Sequence, residues 1–265
     1  MSETVLMNPF PEALVDVRVV GKKISWYPET VSTNTLALES GVDGAVFVAE
    51  YQTAGRGRHG RRWHSAPGLG LYFSVALWGP LRGVTFGAAL AARDALSSGC
   101  AVAIRWPNDL CCGQRKIGGI LVEQREGLLA LGIGINVNQH MDDFPSCLRH
   151  RAGSLRMATG VVWDRRETFC QLLMHLDAVV QRLRTGEFDA IHAEWTDACN
   201  MIGKRVRRGA TTGKVTAVDM EGALLLQTAT GMKRVGCGIG IGNKVLNGII
   251  IFDLEDVRKL RKEGN

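Results

Sequence analysis

The densest set of residues able to do chemistry is the run GRGRHGRRWHS, which spans Gly55 to Ser65. It contains four arginines, three glycines and a tryptophan, and it follows the apolar segment AVFVAEYQT. Glycine lets a backbone approach a ligand closely and adopt positive φ. Arginine presents a planar, permanently charged guanidinium that suits phosphate and carboxylate groups. The run therefore predicts a loop that closes over an anion.

Two other interpretations of this run stay open on its residues alone. Gly55, Gly57 and Gly60 match the dinucleotide-binding pattern G-x-G-x-x-G, which should begin a helix and precede an acidic residue by about 20 positions. Instead a strand-like run, LYFSVALW, follows from Leu71, and the sequence GPLRG near position 80 has no acid, so this interpretation is disfavoured. A solvated basic loop or a nucleic-acid-binding surface fits the same charges.

Three further groups of residues carry polar chemistry at the ends of predicted elements. Ser32-Thr33-Asn34 begins a predicted helix, where it could also be a simple N-cap. RWPNDL, from Arg105, predicts a turn that presents an amide and a carboxylate, and KIGGILVE follows it from Lys116. GIGINVN, from Gly132, is a strand whose glycines leave room beside it. Together the groups supply cations, amides, a carboxylate and an exposed backbone.

These residues need a scaffold, which the hydrophobic periodicity predicts to be α+β. Val-, Ile- and Leu-rich segments predict strands at Ala45–Glu50, Leu71–Trp78, Val102–Arg105, Lys116–Gln124 and Leu128–Val137. Helical spacing and capping signals predict helices at 33–40, 85–98, about 165–183 and 188–199. Because many strands are adjacent in sequence, the sheet is expected to be mixed and mostly antiparallel.

The pattern changes near Ile202, where short strands alternate with turn signals such as ATTG and DMEG. About fifty residues of this kind predict a small β-barrel. We therefore divide the chain into residues 1–200 and 201–265. The tail beyond Gly236 is predicted to add a strand, GIIIF, and a charged helix.

Composition narrows the class of protein. The net charge is +6 and the sequence pI about 9.1, which permits anionic partners without selecting one. The seven cysteines form no C-x-x-C pair, so neither a disulfide framework nor a metal site is expected. There is no signal-peptide pattern and no membrane-length apolar run. We expect a reduced, cytoplasmic protein.

Taken in order, STN, GRGRHGRRW, RWPNDL, KIGGILVE and GIGINVN closely resemble the catalytic domain of the biotin protein ligases (biotin–[acetyl-CoA-carboxylase] ligases). The resemblance runs from about Ser25 to Asn200. It implies the fold that this domain shares with class II synthetases. GKVTAVDMEGALLL resembles the SH3-like C-terminal domain of the same family. The implied reaction has two steps: biotin and ATP give biotinyl-5′-AMP, and the biotinyl group then passes to a lysine of a carboxylase carrier domain.

The resemblance also implies residue roles. Lys116, Arg58 and Asp109 would be catalytic. Trp63, Asn108 and Asn136, together with Arg58, would bind the nucleotide, and Mg²⁺ would enter with ATP. Biotin would be bound by ten residues, two of them from the catalytic group: Ser32, Thr33, Asn34, Gln52, Arg56, Gly57, Arg58, Lys116, Gly118 and Gly119.

The sequence also departs from the family pattern. Arg105 stands where a lysine is usual, and the tail Gly236–Asn265 is atypical. Only 24 residues precede Ser25, so the form without an N-terminal DNA-binding domain is expected, and with it no DNA partner. A homodimer through an exposed sheet edge is possible. The rival functions are a nucleic-acid-binding module and, closer in fold, a lipoate or octanoate ligase or transferase.

Overall fold

The computed structural model describes residues 7–236 and the backbone of two short strands, 244–246 and 249–251. Its main feature is a seven-stranded sheet in the order β1-β2-β3-β7-β6-β5-β4. Only β1 and β2 are parallel, and the other neighbours are antiparallel. The predicted mixed, mostly antiparallel α+β fold is therefore confirmed. The strands are β1 Ile24–Thr30, β2 Val46–Gln52, β3 Gly70–Trp78, β4 Val102–Arg105, β5 Asp109–Cys112, β6 Arg115–Arg125 and β7 Leu128–Asn136.

The long central hairpin shows how local sequence sets the register. Arg125 pairs with Leu128 across a two-residue turn made by Glu126 and Gly127. Both turn residues have positive φ, 51° and 84°, which is the geometry that suits the twist of a tight hairpin. The register that follows places Gly119 opposite Gly134, and this pair of glycines lies at the floor of the candidate site.

Among the described residues, the α-helices that accompany the sheet are α1 Thr33–Ser40, α2 Val84–Leu96, α3 Leu155–Thr159, α4 Arg165–Arg184 and α5 Phe188–Cys199. The predicted helices agree with α1, α2, α4 and α5 to within about two residues. The Asp164 side chain caps α4 by accepting from the backbone N–H groups of Arg166 and Glu167. The Ser32 side chain makes no such bond at the start of α1, so capping does not account for its hydroxyl.

The two faces of the sheet are packed differently, because successive side chains of a strand point to opposite faces. Phe73 belongs to the large core, where it meets Phe169 of α4 edge-on. Its neighbour Ser74 lies on the other face, beside α1. Ala37 of α1 packs there with Ala76 and further small residues. The face covered by the short helix α1 is the face that carries the candidate site.

After α5, a second sheet runs in the order β11-β10-β9-β8-β13-β12. Its strands are β8 Arg205–Arg208, β9 Thr211–Val218, β10 Leu224–Thr228, β11 Gly231–Val235, β12 Lys244–Leu246 and β13 Ile249–Ile251. The predicted strand GIIIF coincides with β13. The predicted tail helix lies outside the described residues, and the barrel and the boundary at residue 200 stay predictions.

The second sheet packs directly on the elements that carry the site. Trp106 donates from Nε1 to the Gly222 carbonyl at 2.8 Å, and Gly222 lies against the stacked rings of Phe86 and Trp195. Val206 and Leu224 join the same buried cluster as the first sheet. The turn before β10 thus supports the turn between β4 and β5.

The structure brings the sulfur atoms of Cys100 and Cys112 together. The expectation of a reduced chain stays a prediction. Cys112 lies at the open end of the β4–β5 hairpin, opposite Val102, and Cys100 is two residues before Val102.

Within the described ranges, no helix has the length and apolarity needed to cross a membrane.

Candidate functional site

One cavity gathers almost every residue singled out in the sequence. It lies at the start of α1 and the end of β2, and extends under the 55–64 loop to the β4–β5 turn. The predicted residues that line it are Ser32, Thr33, Asn34, Gln52, Arg56, Gly57, Arg58, Trp63, Asn108, Asp109, Lys116, Gly119 and Asn136. Residues far apart in sequence therefore converge on one space.

Gly118 is the exception among the predicted residues, because it does not line this cavity. A Cβ at Gly118 would meet the side chains of Ile135 and Leu110, which belong to the core. A Cβ at Gly119 would instead meet Lys116 and Trp63. Adjacent strand residues face opposite sides, so only the second glycine of the pair belongs to the cavity.

The first end of the cavity is neutral and already hydrogen-bonded; we call it the amide end, formed by Ser32, Thr33, Asn34, Gln52 and Ser74. Gln52 Oε1 accepts from the Thr33 backbone N–H at 3.0 Å and from its hydroxyl at 3.2 Å. Ser74 Oγ lies 2.7 Å from Thr33 Oγ1 and 2.6 Å from Asn34 Oδ1. All five residues are at most 8% exposed. Their orientations are therefore set before any ligand binds.

The opposite end is cationic; we call residues 55–63 the arginine loop. Arg56 forms a forked ion pair with Glu123, with Nε–Oε1 3.1 Å and Nη2–Oε2 3.0 Å. Arg58 donates from Nη1 to Asn108 Oδ1 at 3.1 Å. Burial alone would raise the pKa of Glu123, but hydrogen bonds from Arg56 and Asn34 outweigh it and lower that pKa. Glu123 is therefore an anion at neutral pH.

The tip of the arginine loop turns sharply and concentrates positive charge. His59 has φ 60° and Gly60 φ 70°, in the left-handed region that glycine tolerates best. Partial burial and the charges of Arg58, Arg61 and Arg208 lower the pKa of His59. The imidazole is therefore neutral at pH 7, and the arginines supply the charge of the loop.

Trp63 closes the base of the loop against the sheet. Its backbone N–H donates to the Gly55 carbonyl at 2.8 Å, and a Cβ at Gly134 would overlap its indole ring. The indole Nε1–H is buried without an acceptor in the part of the chain described. A buried unpaired donor is costly, so this position favours an incoming acceptor.

Lys116 and Asp109 lie between the two ends. Lys116 Nζ donates to Asp109 Oδ1 at 2.6 Å, and it lies 5.5 Å from the centre of the Trp63 ring. A register shift opposite Leu110 and Cys111 leaves Ile117 as an extra residue in β6. The bulge puts Lys116 on the same face as Gly119 and Asp109. The Lys116 side chain is 34% exposed and the Asp109 side chain 22%, so this pair can be reached from the cavity.

The two asparagines predicted for the nucleotide are bound to the protein backbone in this structure. Asn108 Nδ2 donates to the Ile120 carbonyl at 2.6 Å, and Asn136 Nδ2 donates to the Gly153 carbonyl at 2.9 Å. Arg105, the departure from the family pattern, lines the cavity and donates to the Gln114 carbonyl at 3.2 Å. It therefore braces the β5–β6 turn.

Sequence reasoning missed a segment that covers the cavity from the side of Lys116. Phe144, Leu148 and Arg151 line the cavity, and the Lys116 N–H donates to the Arg151 carbonyl at 2.8 Å. Ser74 and Glu123 were also missed, because each acts through a partner on another element. The one signal that points to Ser74 is that it is the single hydroxyl-bearing aliphatic residue in the otherwise apolar and aromatic run LYFSVALW.

Comparisons with known proteins agree with this site. Residues 21–140 match the model of the biotin/lipoate A/B protein ligase family. The bifunctional ligase/repressor BirA of Bacillus spizizenii is 36% identical over 220 residues, which is 77% of this chain and 68% of that protein. The biotin–[acetyl-CoA-carboxylase] ligase of Paracoccus denitrificans is 33% identical over 76% of this chain and 93% of its own.

A solved structure shows the same relationship. The biotin protein ligase from Aquifex aeolicus in complex with biotin and ATP aligns with a TM-score of 0.72 and 31% identity, over 81% of this chain and 95% of that chain. Fold, site motifs and sequence identity thus coincide over the same part of the molecule. The chain belongs to the biotin protein ligases, within the biotin/lipoate A/B protein ligase family.

Proposed function

We propose that this chain activates biotin with ATP to biotinyl-5′-AMP and transfers the biotinyl group to a lysine of a carboxylase carrier domain. One observation carries the proposal: a single cavity joins a buried amide end to a cationic loop, with Lys116 and Asp109 between them. Biotin has the matching polarity, with a neutral ureido ring at one end and a carboxylate at the other.

The ureido ring binds at the amide end in this proposal. The Ser32 and Thr33 hydroxyls accept from or donate to the ring, and Gln52 and Ser74 hold the Thr33 hydroxyl in place. Because the group is hydrogen-bonded and buried beforehand, little side-chain entropy is lost on binding. The apolar arm of biotin then runs beside the Trp63 indole, which lies against Gly134.

Adenylation follows when the biotin carboxylate attacks the α-phosphorus of ATP and pyrophosphate leaves. Lys116 stabilises the negative charge that develops between the carboxylate and the phosphate. Arg58 stabilises the phosphate oxygens from the arginine loop, where Gly57 leaves room for the backbone to approach them, and Arg56 holds the base of that loop. Trp63, Asn108 and Asn136 position the nucleotide. Catalysis in this scheme rests on orientation and electrostatics.

Transfer begins when the amine of the carrier lysine attacks the mixed anhydride. A new amide bond forms, the acyl–phosphate bond breaks and AMP leaves. Among the described residues that line the cavity, Asp109 provides the single carboxylate. We assign it to orient the amine and to accept its proton, with Lys116 released toward the phosphate.

Mg²⁺ is expected to arrive with ATP, bound mainly by the phosphates. In the described ranges, no group of three His, Cys, Asp or Glu side chains is arranged to hold a metal ion. Asp109 is already paired with Lys116. The residues therefore do not form a dedicated magnesium site, and no step above depends on one.

The proposal is tested by pyrophosphate release from ATP with purified protein. Biotin should support release and lipoate should not, which separates the two acids covered by the family model. Addition of a carrier domain with its acceptor lysine should then consume the adenylate. Release with lipoate but not with biotin would assign the chain to the other branch of the family.

We further propose that the second sheet is an SH3-like domain that helps to receive the carrier.

A further inference from the structure

Glu123 is a carboxylate outside the mechanism proposed above, yet it contacts both ends of the cavity. It accepts from Asn34 Nδ2 at 2.7 Å and forms the forked ion pair with Arg56. Its side chain is 29% exposed. Arg56 Nη2 also lies 3.2 Å from Thr35 Oγ1. One acid thus joins the start of α1 to the base of the arginine loop.

The charge on Glu123 determines which way the Asn34 amide points. An ionised carboxylate can only accept hydrogen bonds, so the NH₂ group of Asn34 must face it and Oδ1 must face Ser74. Ser74 donates to Asn34 Oδ1 at 2.6 Å. Ser74 has a single proton and its Oγ also lies 2.7 Å from Thr33 Oγ1, so the Asn34 amide determines whether Ser74 can donate to Thr33. The orientation set at Glu123 is therefore passed into the amide end.

The surrounding backbone holds this arrangement in place. A Cβ at Gly132 would overlap the Asn34 amide, so a residue without a side chain is needed beneath it. Arg56 is paired through its backbone with Arg62, which closes the base of the arginine loop. A bidentate arginine–carboxylate pair fixes direction as well as distance, and so anchors that base to β6.

We propose that Glu123 is a positioning residue: it orients Asn34 for the ureido ring and anchors Arg56 at the base of the arginine loop. The inference rests on the proposed function, since it takes biotin as the occupant of the amide end. It assigns Glu123 no contact with the reacting atoms.

Equilibrium binding of biotin, measured by calorimetry on the full chain, tests the inference without turnover. Glu123→Gln keeps the shape but lets the Asn34 amide face either way, and we expect the Kd for biotin to rise about tenfold. Glu39→Gln is the matched control, because Glu39 is an exposed residue on α1 outside the network. Its Kd should equal that of the wild type.

The effect of Glu123→Gln on the Kd for biotin should change sign when Asn34 is replaced by Asp, and this reversal separates a positioning role from a general structural one. Asn34→Asp alone places two carboxylates together and should weaken binding more than Glu123→Gln. In the double variant, the amide introduced on β6 can donate to the carboxylate introduced on α1, so adding Glu123→Gln should improve binding instead of impairing it. Additive losses, or an unchanged Kd in Glu123→Gln, would overturn the inference. If the variants show this reversal but the wild-type protein gives no biotin-dependent pyrophosphate release, the proposed function alone is refuted.

Discussion

The amide end and the arginine loop solve recognition in opposite ways. At the amide end, buried neutral groups bond to one another at 2.6 to 3.2 Å before a ligand arrives. At the loop, Arg56 is held by Glu123 and Arg58 by Asn108, and Lys116 beside the loop is held by Asp109. The comparison teaches that the shape of the amide end selects the ureido ring. An anion that binds at the loop must instead displace the existing contacts of the cations before it can pair with them.

The largest effect is expected at Lys116, which lies between the amide end and the arginine loop. Lys116→Ala should slow adenylate formation about a hundredfold, because a preorganised contact to developing charge is worth about 3 kcal/mol. The fold should persist, since the side chain is partly exposed. Biotin-dependent pyrophosphate exchange measures the rate, with Lys22→Ala as the control on an exposed lysine. Exchange at a near-normal rate would remove Lys116 from the chemistry.

Asp109→Asn should affect the second step at least as much as the first. The amide can accept a hydrogen bond but cannot take a proton from the attacking amine, so transfer should slow by about 10 to 100-fold. Single-turnover transfer from preformed biotinyl-AMP isolates this step. Asp16→Asn, at an exposed site, controls for the lost charge. If transfer is unchanged, Asp109 serves structure only.

Arg58→Gly should release the intermediate while still making it, because the phosphate loses a charged contact and Lys116 remains. We expect the ratio of free biotinyl-AMP to biotinylated carrier to rise about tenfold. Arg58→Ala is the matched variant, since it removes the same guanidinium without the backbone freedom of glycine. Equal ratios in both variants assign the effect to charge, and a wild-type ratio in both would place retention elsewhere.

The smallest effect concerns the thiol of Cys111, which pairs with Lys116 between β5 and β6. Burial raises the pKa of Cys111 to about 11, with smaller opposing effects from Arg105 and Lys116. Cys111 should therefore stay protonated and unmodified by iodoacetamide at pH 8, whereas the exposed Cys147 reacts. Mass spectrometry of tryptic peptides gives both extents in one sample. Rapid labelling of Cys111 would show that the sheet beneath Lys116 opens.

Much of the site could be predicted because its residues occur in short contiguous motifs. STN, the arginine loop, the WPND turn and Lys116 each carry their chemistry locally, and all reach the cavity. Ser74 and Glu123 could not be assigned, because their partners lie 40 and 89 residues away. Gly118 and Gly119 were predicted together, but adjacent residues of a strand face opposite sides, and only Gly119 lines the cavity.

The fold shows the same division between local and distant information. The long strands and amphipathic helices follow from periodicity, which adjacent residues determine. β1 was missed because Pro28 interrupts ISWYPET, a pattern that proline confines to sheet edges, and β1 is indeed an edge strand. β5 begins at Asp109, inside the RWPNDL segment that the sequence predicts as a turn.

Limited trypsin digestion of the arginine loop tests the contrast between the two ends most directly. Three samples are compared: free protein, protein with biotin methyl ester, and protein with biotinyl-AMP. The ester keeps the ureido ring but has no negative charge. We expect cleavage at Arg56 to Arg62 in the free protein and with the ester, and protection with biotinyl-AMP. Equal cleavage in all three samples, or equal protection by the ester, would contradict closure of the loop on an anion.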